Sequence, residues 1–446
     1  MRLKLILVLS IILSLLFSCK DTNTNTVTSK KVIINTSDRV APDTSKKHLD
    51  SLNTAVKTAF AKLRPQSIRP AEGFIKYDYL IPAGFYKQMW DWDGFYIGSH
   101  LMSIGKPEYL KYWVLNFAVA ADEEGYVPGC VTTKGPRPLF GKFAMKPFIG
   151  QGTYLTSEKL NDYTWITSEV YNQIQSIINY REKISLDKKY GLFYWDDAMS
   201  SGGDNNVVLT NDKNQPGAIL AVDLSAFMYR EYLAMKNVAT KLGHTEDANN
   251  YAEKAKTLKA NITKHLWDDD AKSFWNMYRT GRPYKRVSYS NFIALMHTDL
   301  VSQDNGREMI KRYLWNEDHM LAPYGLRSLS KQDPDYNNEN IIVPYSNWQG
   351  PVWPVGNYMY YIALKNYGFT EECKQLAATL GTLVLKDIEA YGSMHENYHA
   401  DTGAPLAPTA DQSKDGVFTG FVGWNLLVQN MLMGAAEDNF LLLEIN

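Results

Sequence analysis

The sequence predicts an all-α fold, a toroid of paired helices with long irregular loops gathered at one end. Three observations lead there. Apolar residues recur at three- and four-residue spacing in segment after segment. The pattern Asp187-Lys-Lys-Tyr-Gly-Leu-Phe193-Tyr194-Trp195 is echoed by Asp269-Asp-Ala-Lys-Ser-Phe274-Trp275-Asn276, each a charged turn into a short aromatic strand after a helix. Strand–helix alternation with a glycine-rich phosphate loop is missing, so a nucleotide-binding α/β fold is not indicated.

The chain starts with Met1-Arg2-Leu3-Lys4, a short basic stretch, and then an apolar run from Leu5 to Phe17 that is too short to span a bilayer. Ser18-Cys19 closes it. This resembles a bacterial lipoprotein signal, which implies removal of residues 1–18 and a lipid on Cys19. An exported protein follows, periplasmic or anchored in the outer membrane of a Gram-negative bacterium, touching membrane only through that anchor. Residues 19–47 are rich in Thr, Ser, Asn and Lys without apolar periodicity and read as a tether. Order is expected from about His48, with residues 48–446 as the catalytic domain.

Helical patterns then cover Leu49–Leu63, Tyr163–Ile184, Leu220–Leu242, Asp247–Leu266, Pro354–Tyr367, Glu371–Ile388 and Phe421–Met433. Thr245 and Thr370, each followed by acidic residues, are the expected N-caps of two of them. Between helices run long Gly/Pro/aromatic-rich connections, Gly125–Gly152 and Leu321–Pro354, of a length that usually carries function. The formal net charge of −1 gives no footing for nucleic acid or an anionic membrane surface. Aromatic residues make up 13% of the chain, enough to supply both a core and a stacking surface for flat apolar ligand faces. Outside the signal, Cys130 and Cys373 are expected to be buried free thiols.

Four segments mix Gly with carboxylates, amides or Trp and are expected as loops: Gln88–Gly98 (QMWDWDGFYIG), Ser200–Asn206 (SSGGDNN), Tyr345–Pro354 (YSNWQGPVWP) and Gly392–Pro405 (GSMHENYHADTGAP). Carboxyls on Gly-flanked loops can be placed freely, and Asp204 and Glu396 both fit. Splitting a glycosidic bond needs one carboxylic acid for the leaving oxygen and a second carboxylate across the anomeric carbon. The last segment can also be read differently. His395-Glu396-Asn397-Tyr398-His399 satisfies H-E-x-x-H, the zinc-protease pattern. That chemistry needs both histidines on one helix face and a third ligand downstream. Gly392 before the motif, Gly403 and Pro405 after it, and the lack of any later His argue against it, so no metal is expected.

In this order and spacing the four segments resemble glycoside hydrolase family 63 and, more distantly, the trehalases of family 37. The first is similar to Trp-x-Trp-Asp-x-x-Phe, with Phe95 one residue early. The second is similar to Ser-Gly-x-Asp-Asn, the third to Trp-x-Gly-Pro-Val-Trp-Pro and the fourth to Glu-x-Tyr-x-x-x-Thr-Gly; Val222-Asp223-Leu224 and Phe421-Val422-Gly423-Trp424 match too. The resemblance covers roughly residues 85–446. It implies an (α/α)6 barrel without the family's extra β-domain and a cofactor-free inverting α-glycosidase acting on a short α-glucoside or α-mannoside. Asp204 would be the general acid and Glu396 the general base. Trp90, Trp92, Asp93, Phe95, Lys146, Asn205, Trp348, Gln349, Trp353, His399 and Trp424 would bind the sugar. The chain departs from the family at Asn206, where Ser is usual, at Gln349, where Arg is common, and at Lys146, where many relatives have Gln; these positions bear on substrate preference. Trehalase-type activity and a catalytically silent carbohydrate-binding protein are the alternatives.

Overall fold

In the computed structural model, the residues described are 41–84, 86–139, 141–209, 217–339, 346–406, 420–436 and 445. The signal segment, Cys19 and residues 19–40 of the tether lie outside them, and α1 begins within its last residues. Residues 38–446 belong to one compact unit.

In chain order the helices are α1 (Lys46–Leu63), α2 (Asp91–Ser103), α3 (Glu108–Ala118), α4 (Ile149–Leu160), α5 (Ser168–Ser185), the single turn α6 (Ala198–Ser201), α7 (Val222–Leu242), α8 (Thr245–Leu266), the short α9 (Tyr289–Phe292), α10 (Gln303–Met309), α11 (Pro354–Asn366), α12 (Thr370–Tyr391) and α13 (Leu427–Ala436). Helices α2, α4, α7, α9, α11 and α13 touch in a closed circuit that returns from α13 to α2. An outer layer of α3, α5, α8, α10, α12 and α1 surrounds them. The first and last helices, α1 and α13, pack together and complete the sixth pair. The result is an (α/α)6 barrel.

The two layers have different sequence characters because they meet different surroundings. Outer helices bury one stripe, as α1 does with Leu49, Leu52, Val56, Phe60 and Leu63, and α8 with Tyr251, Ala255, Leu258, Ile262 and Leu266. Inner helices are buried on every side; in α2 each residue from Asp91 to Met102 is buried. A helix with no solvent face has no apolar stripe, so the periodicity that marks the outer layer is lost. This explains why residues 91–98, expected as part of a loop, are the first turns of α2. Gly94 and Gly98 allow the close approach of α3: a Cβ at Gly94 would lie 2.4 Å from the Trp113 ring, and one at Gly98 2.9 Å from Leu110.

Other boundaries shift for local reasons. Helix α1 starts at Lys46, two positions before His48, with the Ser45 hydroxyl accepting from His48 N. Helix α5 starts at Ser168 rather than near Tyr163, because the Thr167 side chain caps Val170 N. Thr245 and Thr370 occupy first helical positions, and the N-caps are His244 and Phe369 without side-chain capping bonds. The two echoed aromatic segments are antiparallel hairpins, β6–β7 (Leu186–Asp187 with Leu192–Phe193) and β9–β10 (Trp267–Asp268 with Ser273–Phe274), among fourteen short strands β1–β14 numbered along the described residues. Cys130 and Cys373 are both buried and free.

Candidate active site

The N-terminal ends of the inner helices supply much of one cavity. Strand β3 (Met89–Trp90) pairs with β4 (Cys130–Thr132) and delivers Trp90 as the N-cap of α2, whose first turn holds Asp91, Trp92 and Asp93. Trp353 is the N-cap of α11, and Trp424 sits on the 3-10 turn Gly423–Leu426 that leads into α13. Helix N-termini carry positive partial charge, which favours carboxylates there. The cavity measures about 220 Å³ and is lined by Asp91, Asp93, Asp204 and Glu396, by Lys146, by Tyr86, Trp90, Trp92, Trp348, Trp353 and Trp424, and by Met199, Gly202 and Ser346.

Four of these tryptophans close on one another. Trp92 lies 5.9 Å from Trp348, Trp348 stacks on Trp353 at 4.3 Å, Trp353 lies 6.1 Å from Trp424, and Trp424 lies 5.4 Å from Trp92. The Trp353 indole donates to Asn347 O at 2.8 Å. The indole N–H groups of Trp348 and Trp424 are buried and have no hydrogen-bond partner among the described residues. A buried donor left unpaired costs about 1–3 kcal/mol. A hydroxyl-bearing ligand in the cavity would remove that cost.

The charges form a graded set. Asp91 accepts from Trp92 N at 2.7 Å and from Lys146 N at 2.8 Å, and its Oδ1 is 3.2 Å from Lys146 Nζ, an ion pair nearly closed to solvent. Asp93 has its pKa pushed up to about 8, by burial first and by the neighbouring Asp91 charge second. Asp204 is pushed up to about 6 by burial, against the opposing pull of the Ser346 hydroxyl and the Lys146 ammonium. The Tyr86 hydroxyl lies 3.5 Å from each carboxylate oxygen of Glu396.

Asp204 stands on a tight turn after α6. The Asp197 side chain caps α6, Gly202 leaves it in the left-handed region at φ 87°, and Asn206 N closes the turn onto Gly203 O at 2.7 Å. Glu396 stands on the connection after α12, which ends with Gly392 at φ 77°. There Tyr398 bridges Val352, exchanging backbone bonds of 2.8 and 3.0 Å. Residues 395–399 are not helical, so the helix that the zinc reading needs is not there. Each histidine has another role. The His395 ring bonds Asp387, and the His399 ring accepts from Asp401 N at 3.1 Å.

Nine of the residues singled out in the sequence line the cavity together: Asp204, Glu396, Trp90, Trp92, Asp93, Lys146, Trp348, Trp353 and Trp424. The remaining ones lie elsewhere. Phe95 points into the core and stacks on Phe148 at 4.7 Å. Asn205 and Gln349 stitch two loops together: Trp348 N donates to Asn205 Oδ1 at 2.6 Å, and Gln349 Nε2 donates to Asn205 O at 3.1 Å. His399 braces its own turn. The lining also includes Tyr86, Asp91, Met199, Gly202 and Ser346, which sequence reasoning did not single out. Asp91, Gly202 and Ser346 sit inside the quoted segments, one or two positions from residues that were chosen. Nothing in the sequence marks Tyr86 or Met199.

Residues 86–415 match the Mannosylglycerate hydrolase MGH1-like glycoside hydrolase domain, well over half of the chain. The chain belongs to this family. It is therefore a glycoside hydrolase. Among curated proteins it resembles a probable mannosyl-oligosaccharide glucosidase of Schizosaccharomyces pombe, 28% identical over 231 residues; the match takes in 48% of this chain and 26% of that relative, so the chain spans only a fraction of the relative's length. Among solved structures it resembles the GH63 mannosylglycerate hydrolase from Thermus thermophilus in complex with glucose, with TM-score 0.63 and 16% identity over 85% of this chain and 99% of that one. Neutral trehalase from Saccharomyces cerevisiae superposes with TM-score 0.60 and 16% identity over 80% and 74% of the two chains. At such identities these structural likenesses speak for the barrel.

Proposed function

We propose that this glycoside hydrolase is an inverting α-glycosidase acting on a short α-glucoside or α-mannoside, with Asp204 as general acid and Glu396 as general base. The observation that carries this reading is that Asp204 and Glu396, far apart in sequence, line one buried cavity, with Asp204 protonated more readily than an ordinary carboxyl. Asp204 gives its proton to the glycosidic oxygen as the bond from C1 to that oxygen breaks. A water attacks C1 from the opposite side and its proton passes to Glu396, which inverts the anomeric configuration.

Size and lining favour a small neutral sugar end. At about 220 Å³ the cavity is smaller than the roughly 300–1,000 Å³ of sites for drug-sized ligands. The tryptophans offer ring faces, and two of them offer unpaired N–H donors. The relatives' names fit this class: one structure holds glucose and another, from the same enzyme, Tris and D-glycerate. Export and anchoring through Cys19 are part of the proposal and rest on the N-terminal segment of the sequence.

The test is hydrolysis of a panel of α-glucosides, α-mannosides, mannosylglycerate and trehalose by wild type, Asp204→Asn and Glu396→Gln. Release of free sugar by wild type and its loss in both variants is expected. No release by wild type on any member, or undiminished release by both variants, sinks the reading. Chelator treatment is expected to leave the rate unchanged.

A further inference from the structure

We propose that Asp387 is a positioning residue for Glu396, holding the backbone on both sides of it from a buried carboxylate on α12. The inference rests on the base role proposed for Glu396.

Asp387 lies one turn before the end of α12 and is buried, although α12 belongs to the outer layer. Its side chain turns inward and gathers three donors. His395 N donates to Oδ2 at 2.7 Å, and the His395 ring Nδ1 lies 2.9 Å from Oδ1. The Tyr398 hydroxyl donates to Oδ2 at 2.7 Å. His395 immediately precedes Glu396, and Tyr398 follows it by two residues. One carboxylate therefore grips the chain before and after the base. Asn425 completes the grip on the near side by donating to His395 O at 2.7 Å.

A carboxylate suits this place. It accepts at both oxygens and offers no donor of its own, whereas an amide would turn an N–H₂ toward one of the three donors. Charge-assisted bonds are also the short, strong ones. Backbone bonds also tie this loop, Phe421 N to Met394 O at 2.6 Å and the Tyr398–Val352 pair, and residues 393–398 are buried. The Asp387 bonds add a side-chain hold on both sides of Glu396, and a general base works only when held in reach of its water.

Asp387 does not line the cavity, and the tryptophans that would hold the sugar sit on α2, on the 346–353 loop and before α13. Its loss should therefore reduce turnover and leave substrate binding nearly intact. The test measures kcat and KM on 4-nitrophenyl α-glucoside and α-mannoside with the full chain. Asp387→Asn is expected to lower kcat by about 10–100-fold, with KM within about threefold. Tyr398→Phe, which removes one of the three donors and little volume, is expected to lower kcat by about 3–10-fold. In a Glu396→Gln background, Asp387→Asn should cost nothing further, because residues acting as one unit are not additive.

A kcat for Asp387→Asn within twofold of wild type overturns the inference. So does a further loss in the Glu396→Gln background equal to that in wild type, which would mark a general structural effect. If Asp387→Asn does not fold, Tyr398→Phe decides alone, and unchanged kcat there overturns it. Full activity in Glu396→Gln itself refutes the base role instead, and is read separately.

Discussion

The loops of Asp204 and Glu396 do the same job by different means. Each follows a helix that ends in a left-handed glycine, and each answers to a buried aspartate on a barrel helix. The Asp204 turn is packed: a Cβ at Gly202 would lie 2.7 Å from the Trp92 ring and 2.8 Å from Lys146 Cε. Its link to Asp223 on α7 runs through two side chains, Asn206 Nδ2 to Ser290 Oγ at 2.8 Å and Ser290 Oγ to Asp223 Oδ2 at 3.1 Å. The Glu396 loop has open space at Gly392, but residues 393–398 are buried, and Asp387 adds a direct, charged grip. An acid catalyst needs a desolvated place that keeps it protonated, and packing provides that. A base that meets water needs position, and at Glu396 hydrogen bonds add to packing to supply it. The comparison teaches that both loops are packed, and that the one proposed to carry the base has a direct carboxylate grip in addition.

The largest effect should separate the two roles outright. Asp204→Asn is expected to lose about 10²–10⁴-fold on an alkyl glycoside, and to recover most of it on a nitrophenyl glycoside, whose leaving group needs no proton. Glu396→Gln should stay equally poor on both. Equal recovery in the two variants would break the assignment of acid and base. Next come the glycines. Gly202→Ala is expected to lower kcat/KM by about 100-fold, since its Cβ displaces Trp92 or Lys146 within the cavity. Gly392→Ala should cost about 1 kcal/mol in denaturant unfolding, from its left-handed backbone, with kcat within about twofold. The reverse order would show that the two loops are not braced as described.

Smaller effects sharpen the picture. Ser290→Ala removes the middle link of the Asp204 chain and leaves Asn206 and Asp223 without it. About 1–3 kcal/mol of stability should go, visible in urea melts, with a modest fall in kcat. The smallest effect is on pH. A general acid acts while protonated, so kcat/KM should fall as pH rises through about 6, the region of the Asp204 carboxyl. The Ser346 hydroxyl pulls that carboxyl down, so Ser346→Ala should move the alkaline limb to higher pH. A limb that stays put, or moves down, would detach Ser346 from Asp204.

Legibility in the sequence followed solvent contact. The outer helices α1, α8 and α12 could be read because water on one face imposes a stripe. Helix α2 could not, since its Asp91–Met102 face meets protein all round and its acids and glycines look like a loop. The site followed a different rule. Asp204, Glu396 and the tryptophans share one cavity, as the resemblance of the colinear segments implies; taken singly, each reads equally well as a turn or core residue. Phe95, Asn205 and Gln349 come from the same motifs yet serve packing and loop stitching; a motif records what a segment needs, not which way each side chain faces. Asp91 lines the cavity beside Asp93, but the helix geometry of that first turn is not evident from the sequence. Asp387 was invisible because its partners lie on another element's loop, and helix periodicity shows only that it faces inward.

The proposal that Asp204 and Glu396 act on opposite sides of the anomeric carbon is tested most directly by proton NMR of the first product formed from an α-glycoside, recorded before mutarotation. The account predicts that the β-anomer of the free sugar appears first. First appearance of the α-anomer would contradict it.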